Sequence, residues 1–478
     1  MIGLPIIIQG GMGAGISNWR LARAVSSIGQ LGVVSGVALD TIFVRRLQEG
    51  DVGGHIRLAL DHFPVSEIAE RIWQKYYIPG GKNAATPYRS LPMHSAETGA
   101  ETIELTIVAN FVEVWLARFG HKNPVGINYL EKVQLPLLPS IYGAMLGGVS
   151  YVLMGAGIPI KVPGVLDAFV HHEPATYPLH IVGGQEQAFL RFDPQKYVRV
   201  KLTPLARPKF LAIIASNLLA ATIVKRADGK VDGFVVEGPT AGGHNAPPRG
   251  KLQVDSAGEA IYGLRDQVDL LKLRDLGLPF WLAGGYGTAA GVRKALAVGA
   301  AGVQVGTAFA FCEESGLCEE YKRPLVNTVL AGEARVVTDL LASPTHFPFK
   351  VAQLPGTVSD LETYNSRRRI CDLGYLREAY QREDGGVDYR CAAEPVLTYV
   401  AKGGKEHETR GRKCLCNSLL ANIGMGQVRG SNHVEQGLVT AGNQLVDIGE
   451  FISSQSNCYT AAEVIGRLLA EIDEVPVN

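Results

Sequence analysis

The sequence predicts an α/β fold in which eight parallel strands alternate with helices and close into a barrel. Three observations point there: eight apolar runs of strand length, helical patterns between most of them, and glycines crowding the ends of the runs. The runs are Pro5–Gln9, Leu31–Ser35, Pro124–Asn128, Val149–Met154, Lys209–Ala215, Asp232–Glu237, Pro279–Ala283 and Gly302–Val305. Most are rich in Val, Ile, Leu or Phe and bounded by Gly or Pro, as strands buried on both faces require. A (β/α)8 barrel of the TIM type uses roughly 250 residues, and the chain has 478. Additions are therefore expected: a large helical insertion after strand two, at about 40–122, a hairpin insertion at about 178–195, and a mainly helical C-terminal extension over 341–478 beyond a barrel of 1–340.

The first unit is legible in order. Pro5–Gln9 runs directly into Gly10-Gly11-Met12-Gly13-Ala14-Gly15, then Ser17 and Asn18 offer a cap to a helix that Gly29 ends, and Leu31–Ser35 follows. The glycine loop is not a dinucleotide fingerprint. Its spacing is G-x-G-x-G, and strand two ends in Ser35-Gly36 with no acidic residue to hold a ribose. Helical patterns at Asn217–Lys225, Gly263–Leu276 and Thr288–Val298 separate the later strands, and His180–Gly184 with Ala188–Phe192 reads as the added hairpin.

Chemistry is expected at the end of Val231–Gly250. Phe234, Val235 and Val236 form a buried strand, and Gly242 and Gly243 let backbone approach a ligand before the chain reaches His244, whose ordinary pKa lies near neutrality. A second Gly-Gly-His at Gly53–His55 lacks a preceding strand and reads as a structural turn. Strand seven ends in Ala283-Gly284-Gly285-Tyr286-Gly287 and strand eight in Gln304-Val305-Gly306-Thr307. In such barrels the loops after the last two strands hold phosphate on backbone N–H groups.

Composition narrows the partners. Lysines plus arginines equal aspartates plus glutamates at 46 each, so no overall field draws the protein to nucleic acid or an anionic membrane. Val133–Ile160 carries no charged residue, but its prolines and glycines break it into a short helix and a strand rather than a membrane span. The N-terminus shows no secretory pattern, so the expected location is cytoplasmic. Seven cysteines then read as reduced thiols. Of the four at Cys371, Cys391, Cys414 and Cys416, only the last pair has short ligand spacing, and no metal is expected.

Gln9-Gly-Gly-Met12, Glu237-Gly-Pro-Thr-Ala-Gly-Gly-His244, Ala283-Gly-Gly285 and Gln304-Val-Gly-Thr307, in that order, resemble the nitronate monooxygenase family, formerly the 2-nitropropane dioxygenases. The resemblance implies an FMN-dependent barrel and covers residues 1 to about 340 apart from the insertions. It implies FMN at the strand ends, with Gly11 and Met12 against the ring system and Asn128 bonding it. Gly242, Gly243, Gly284, Gly285, Gln304, Val305, Gly306 and Thr307 would hold the ribityl chain and phosphate, with Glu237 beside them. His244 matches the family's active-site histidine. The implied reaction is oxidation of alkyl nitronates by dioxygen to a carbonyl compound and nitrite, with His244 binding an anionic nitro group or taking a proton from a neutral nitroalkane.

Glu237 stands where many members of that family carry glutamine, a feature shared with related FMN-dependent enoyl-acyl carrier protein reductases. An enoyl-thioester reductase fed by NADH or NADPH is therefore the alternative, and a non-catalytic flavin scaffold the third reading. The expected partners are a small-molecule substrate and dioxygen, with a homo-oligomer compatible with the residues.

Overall fold

The computed structural model describes residues 3–184, 187–430, 433–452, 457–470 and 472. Eight parallel strands close into a barrel: β1 (Ile7–Gln9), β2 (Leu31–Ser35), β3 (Val125–Leu130), β4 (Tyr151–Gly155), β5 (Lys209–Ile214), β6 (Gly233–Glu237), β7 (Phe280–Ala283) and β8 (Gly302–Val305). Neighbours in the barrel are neighbours in sequence. β1 closes the ring by pairing with both β2 and β8, Ile8 opposite Leu31 and Ile7 opposite Val303. All eight expected strands are present, each end within about two residues of its expected position, which is the ordinary uncertainty of strand ends.

The period of two along each strand divides the apolar side chains between two cores. Ile8, Leu31, Val33, Tyr151, Leu153, Leu211, Val235 and Trp281 fill the barrel interior, whereas Ile7, Val34, Ile127, Val152, Phe210, Phe234 and Leu282 pack outward with the helices. Trp281 closes the floor, its indole N–H donating to the Pro5 carbonyl at 2.7 Å. Buried Gln9 is satisfied by the glycine loop and β2: its amide donates to Ser17 Oγ at 2.9 Å, and its carbonyl accepts from Val33 N–H at 3.1 Å. Asn18, not Ser17, caps the first helix, Trp19–Ser27. Ser17 turns instead toward the glycine loop, where its hydroxyl accepts from Met12 N–H and donates to the Gly10 carbonyl, each at 2.9 Å.

The segment after β2 is helical as expected, with helices at Leu39–Gln48, His55–Leu60, Ser66–Tyr76 and Ala100–Arg118. The last of these is the crossover to β3: it packs on the Trp19–Ser27 helix and on Leu137–Leu146. The uncharged Val133–Ile160 stretch is that short helix followed by β4. Among the described residues no helix is long and apolar enough to cross a membrane.

The hairpin differs from its expected register. Ala175–Leu179, not His180–Gly184, pairs antiparallel with Ala188–Phe192, because Ala175, Tyr177 and Leu179 alternate inward while the later segment ends in glycines. Ile181–Val182 joins another sheet, parallel to Glu378–Gln381; residues 185–186 of the expected hairpin lie outside the described residues.

The extension is not mainly helical as expected: a helix stands at Ala461–Leu469, within the amphipathic stretch, and others at Leu361–Ser366, Val396–Ala401 and Leu415–Ala421, but most of its described residues form loops and short strands that periodicity did not reveal, because their backbones pair with distant segments. Val336–Asp339 and Phe349–Ala352 pair antiparallel, and Phe349–Ala352 also pairs with Gly243–His244. The expected division at 340 therefore falls inside one three-stranded sheet. Ala461–Leu469 returns to the barrel and packs beside Trp19–Ser27 and Ala289–Ala297, closing the outer ring of helices. Residues 473–478 of the expected extension lie outside the described residues.

Candidate functional site

A cavity of about 470 Å³ opens at the carboxyl ends of the barrel strands, within the range of small-molecule sites. Gly11, Met12, Asn128, Glu237, Gly242, Gly243, His244, Gly284, Gly285, Gln304, Val305, Gly306 and Thr307 all line it. His55 does not. It opens the His55–Leu60 helix, with its ring 4.8 Å from that of Trp19.

The glycines give the backbone its shape. Gly284 and Gly285 have φ of +82° and +84°, a left-handed conformation that L side chains rarely adopt. A Cβ on Gly284 would meet Ala241 N at 3.0 Å and Gly238 O at 3.2 Å, and one on Gly11 would overlap Asn128 Cβ. Gly10 lies so close to Gln304 that a Cβ there would sit 3.2 Å from the Gln304 Cγ. The Oε1 of Gln304 is buried without a hydrogen-bond partner, and so is the Oδ1 of Asn245, whose amide donates to the Ala241 carbonyl. Two acceptor oxygens in one cavity wall call for donors from a ligand.

Glu237 stands half-buried at the end of β6. Withdrawal from bulk water pushes its carboxyl up to about 8, so it is mainly protonated at neutral pH. His244 moves the other way. Desolvation, with the Lys132 ammonium nearby, lowers its pKa to about 4, leaving a neutral imidazole. Its Nε2 lies 2.7 Å from Ser343 Oγ, and its ring meets Phe349 edge-on at 4.8 Å.

The residues that sequence reasoning missed come mostly from the extension, which roofs the cavity. Phe347, Phe349, Tyr375, Leu376, Leu415 and Leu419 add an apolar wall. A loop at 440–444 braces the glycine ends: Thr440 Oγ1 accepts from Gly243 N–H at 2.8 Å, Gln444 Oε1 from Gly287 N–H at 2.8 Å, and Thr307 Oγ1 from Gly442 N–H at 2.9 Å. The Gly243 N–H is thus already engaged within the chain. No local signal marks the residues of the extension, because they lie far along the chain from the strand ends they meet; Asn245, by contrast, directly follows His244.

The four cysteines of the extension converge as well. Cys391 and Cys414 are buried together, with Cys371 and Cys416 packed against them around one small void. Cys371 and Cys391 pack against one another, and Cys416 also lines the main cavity. Among the described residues no group of three or more His, Cys, Asp or Glu is arranged to hold a metal ion.

Comparison with known proteins adds the decisive observation: residues 204–339, which carry β5 to β8 with their glycine ends and His244, match the family model for nitronate monooxygenase. This segment is similar to nitronate monooxygenases. Two curated nitronate monooxygenases are similar. That of Pseudomonas aeruginosa is 30% identical over 184 residues, 38% of this chain and 50% of that protein. That of Paraburkholderia phytofirmans is 32% identical over 164 residues, 34% of this chain and 39% of that protein. The similarity thus spans half or less of the length of these relatives. Among solved structures, a nitroalkane oxidase from Streptomyces ansochromogenes aligns over 99% of this chain and 97% of its own at 16% identity and a TM-score of 0.48. FabK from Thermotoga maritima aligns over 98% and 93% at 17% identity and a TM-score of 0.46.

Proposed function

We propose that the chain is a flavin oxidoreductase that oxidises alkyl nitronates with dioxygen to a carbonyl compound and nitrite, using non-covalent FMN. The observation that carries this reading is the joining, around one cavity, of four sequence motifs with the family match over β5 to β8. The cavity suits such a group: its glycine backbone leaves no room for side chains, and the unpartnered Oε1 of Gln304 needs a donor. Gly11, Met12 and Asn128 would face the ring system, and Gly242, Gly284, Gly285, Gln304, Gly306 and Thr307 the ribityl phosphate. FMN supplies one-electron acceptance and reactivity with dioxygen. The residues of the chain do the rest: the apolar wall excludes water, and His244 offers a neutral imidazole to the substrate's nitro oxygens. One oxygen atom is consumed per nitronate, so nitrite and carbonyl product form in equal amounts.

A second reading rests on Glu237. Its largely protonated carboxyl at the end of β6 is an acid suited to an enoyl-thioester reductase that draws hydride from NADH or NADPH. An anaerobic titration of the purified yellow protein separates the two. Reduction by an alkyl nitronate and not by NADH or NADPH supports the first; rapid reduction by either nicotinamide with no response to nitronate supports the second. The cytoplasm is the proposed location, and no nucleic-acid or membrane partner is invoked.

A further inference from the structure

The surroundings of His244 determine more than its location. Its Nε2 is 2.7 Å from Ser343 Oγ and 3.4 Å from Thr345 Oγ1. Ser343 is wholly buried. Its Oγ accepts from Thr345 N–H at 3.2 Å and lies 2.8 Å from Thr345 Oγ1, while its carbonyl accepts from Arg412 Nη1 at 2.8 Å. The serine is thereby held on both sides, and the Thr345 hydroxyl is free to donate to Ser343 Oγ, leaving the serine proton for the imidazole. The other ring nitrogen, Nδ1, has no hydrogen-bond partner among the described residues, and the ring lines the cavity.

We propose that Ser343 is a positioning residue that donates its hydroxyl to His244 Nε2, holding the imidazole as the Nδ1–H tautomer so that Nδ1–H is the donor offered to a substrate oxyanion. The alternative task, removing a proton from carbon, would leave an imidazolium away from water and near the Lys132 ammonium. Both features oppose that cation, and neither opposes a neutral N–H donor. The oxyanion donor role rests on the nitronate reading; the tautomer does not. A loop of the extension, about 100 residues along the chain, would then select the chemistry of a histidine supplied by the barrel.

The test combines nitrogen-15 NMR of histidine-labelled protein with kinetics. The His244 resonance, assigned by its loss in His244→Gln, is expected to show the Nδ1–H tautomer in the wild type and a tautomer mixture in Ser343→Ala with Thr345→Val. For an alkyl nitronate, Ser343→Ala is expected to raise KM about tenfold, the order of one lost hydrogen bond, with kcat little changed, and Ser343→Thr to restore it. An Nε2–H tautomer in the wild type, or an unaltered Nδ1–H tautomer in the double variant, overturns the proposal. If the tautomer responds as expected while no nitronate is turned over, the positioning role stands and the nitronate reading falls.

Discussion

His244 and Phe349 are joined twice, once through their backbones, which pair in register across two antiparallel strands, and once through their rings, which meet edge to face at 4.8 Å. The barrel supplies the histidine and the extension supplies the strand that holds it. The orientation of the imidazole therefore depends on residues far beyond the barrel's last strand.

His244→Ala is expected to leave the fold and the flavin absorbance nearly intact. The kcat/KM for an alkyl nitronate should fall by about one to two powers of ten, mainly through KM, the order of one hydrogen bond lost to a charged oxygen. A neutral nitroalkane should lose no more than that. A loss confined to the nitroalkane would identify His244 as a base instead, and loss of activity in His55→Ala with none in His244→Ala would move the site to the other Gly-Gly-His.

Gly285→Leu is expected to lower the flavin content of the purified protein. The φ of +84° strains any L residue, and a side chain would enter from the Thr240 side, where a Cβ already sits 3.4 Å from the hydroxyl. Flavin released by denaturation, quantified per chain and identified as FMN or FAD, checks both the loop and the cofactor. Unchanged content would remove this loop from the phosphate site.

Glu237 predicts a signed pH effect on stability. Its pKa is raised in the folded chain to about 8, from an unfolded value of about 4.3, so the folded state binds more protons between those values. Its stabilising contribution is full below about pH 4 and is lost as pH rises through about 8. Glu237→Gln removes that dependence, so the difference in Tm between variant and wild type should move in the variant's favour from pH 5 to pH 8.5. A constant difference would show that the carboxyl is ionised throughout.

The extension is expected to purify without stoichiometric metal, although its four cysteines converge. Elemental analysis finding about one zinc per chain, lost when Cys414 and Cys416 are both changed, would reverse this and make the cluster a metal-stabilised element.

How much was legible follows from the range of the interactions involved. The eight strands declared themselves because burial on both faces demands continuous apolar runs, as in Phe234–Val236, and the strand-end loops because only glycine tolerates their backbone, as at Gly284 and Gly285. These are local requirements, written where they act. The hairpin register, the sheet joining Gly243–His244 to Phe349–Ala352, the convergence of Cys371 with Cys391, Cys414 and Cys416, and the bond from Ser343 to His244 were decided by tertiary structure alone. Apart from the hairpin, whose two strands are near neighbours in sequence, each joins segments well separated along the chain, and neither periodicity nor spacing records which distant segment will satisfy a given edge, void or ring nitrogen. The sequence by itself determined the barrel and the residues at its mouth; the charge and orientation of His244 depended on what the extension brought down on top of it.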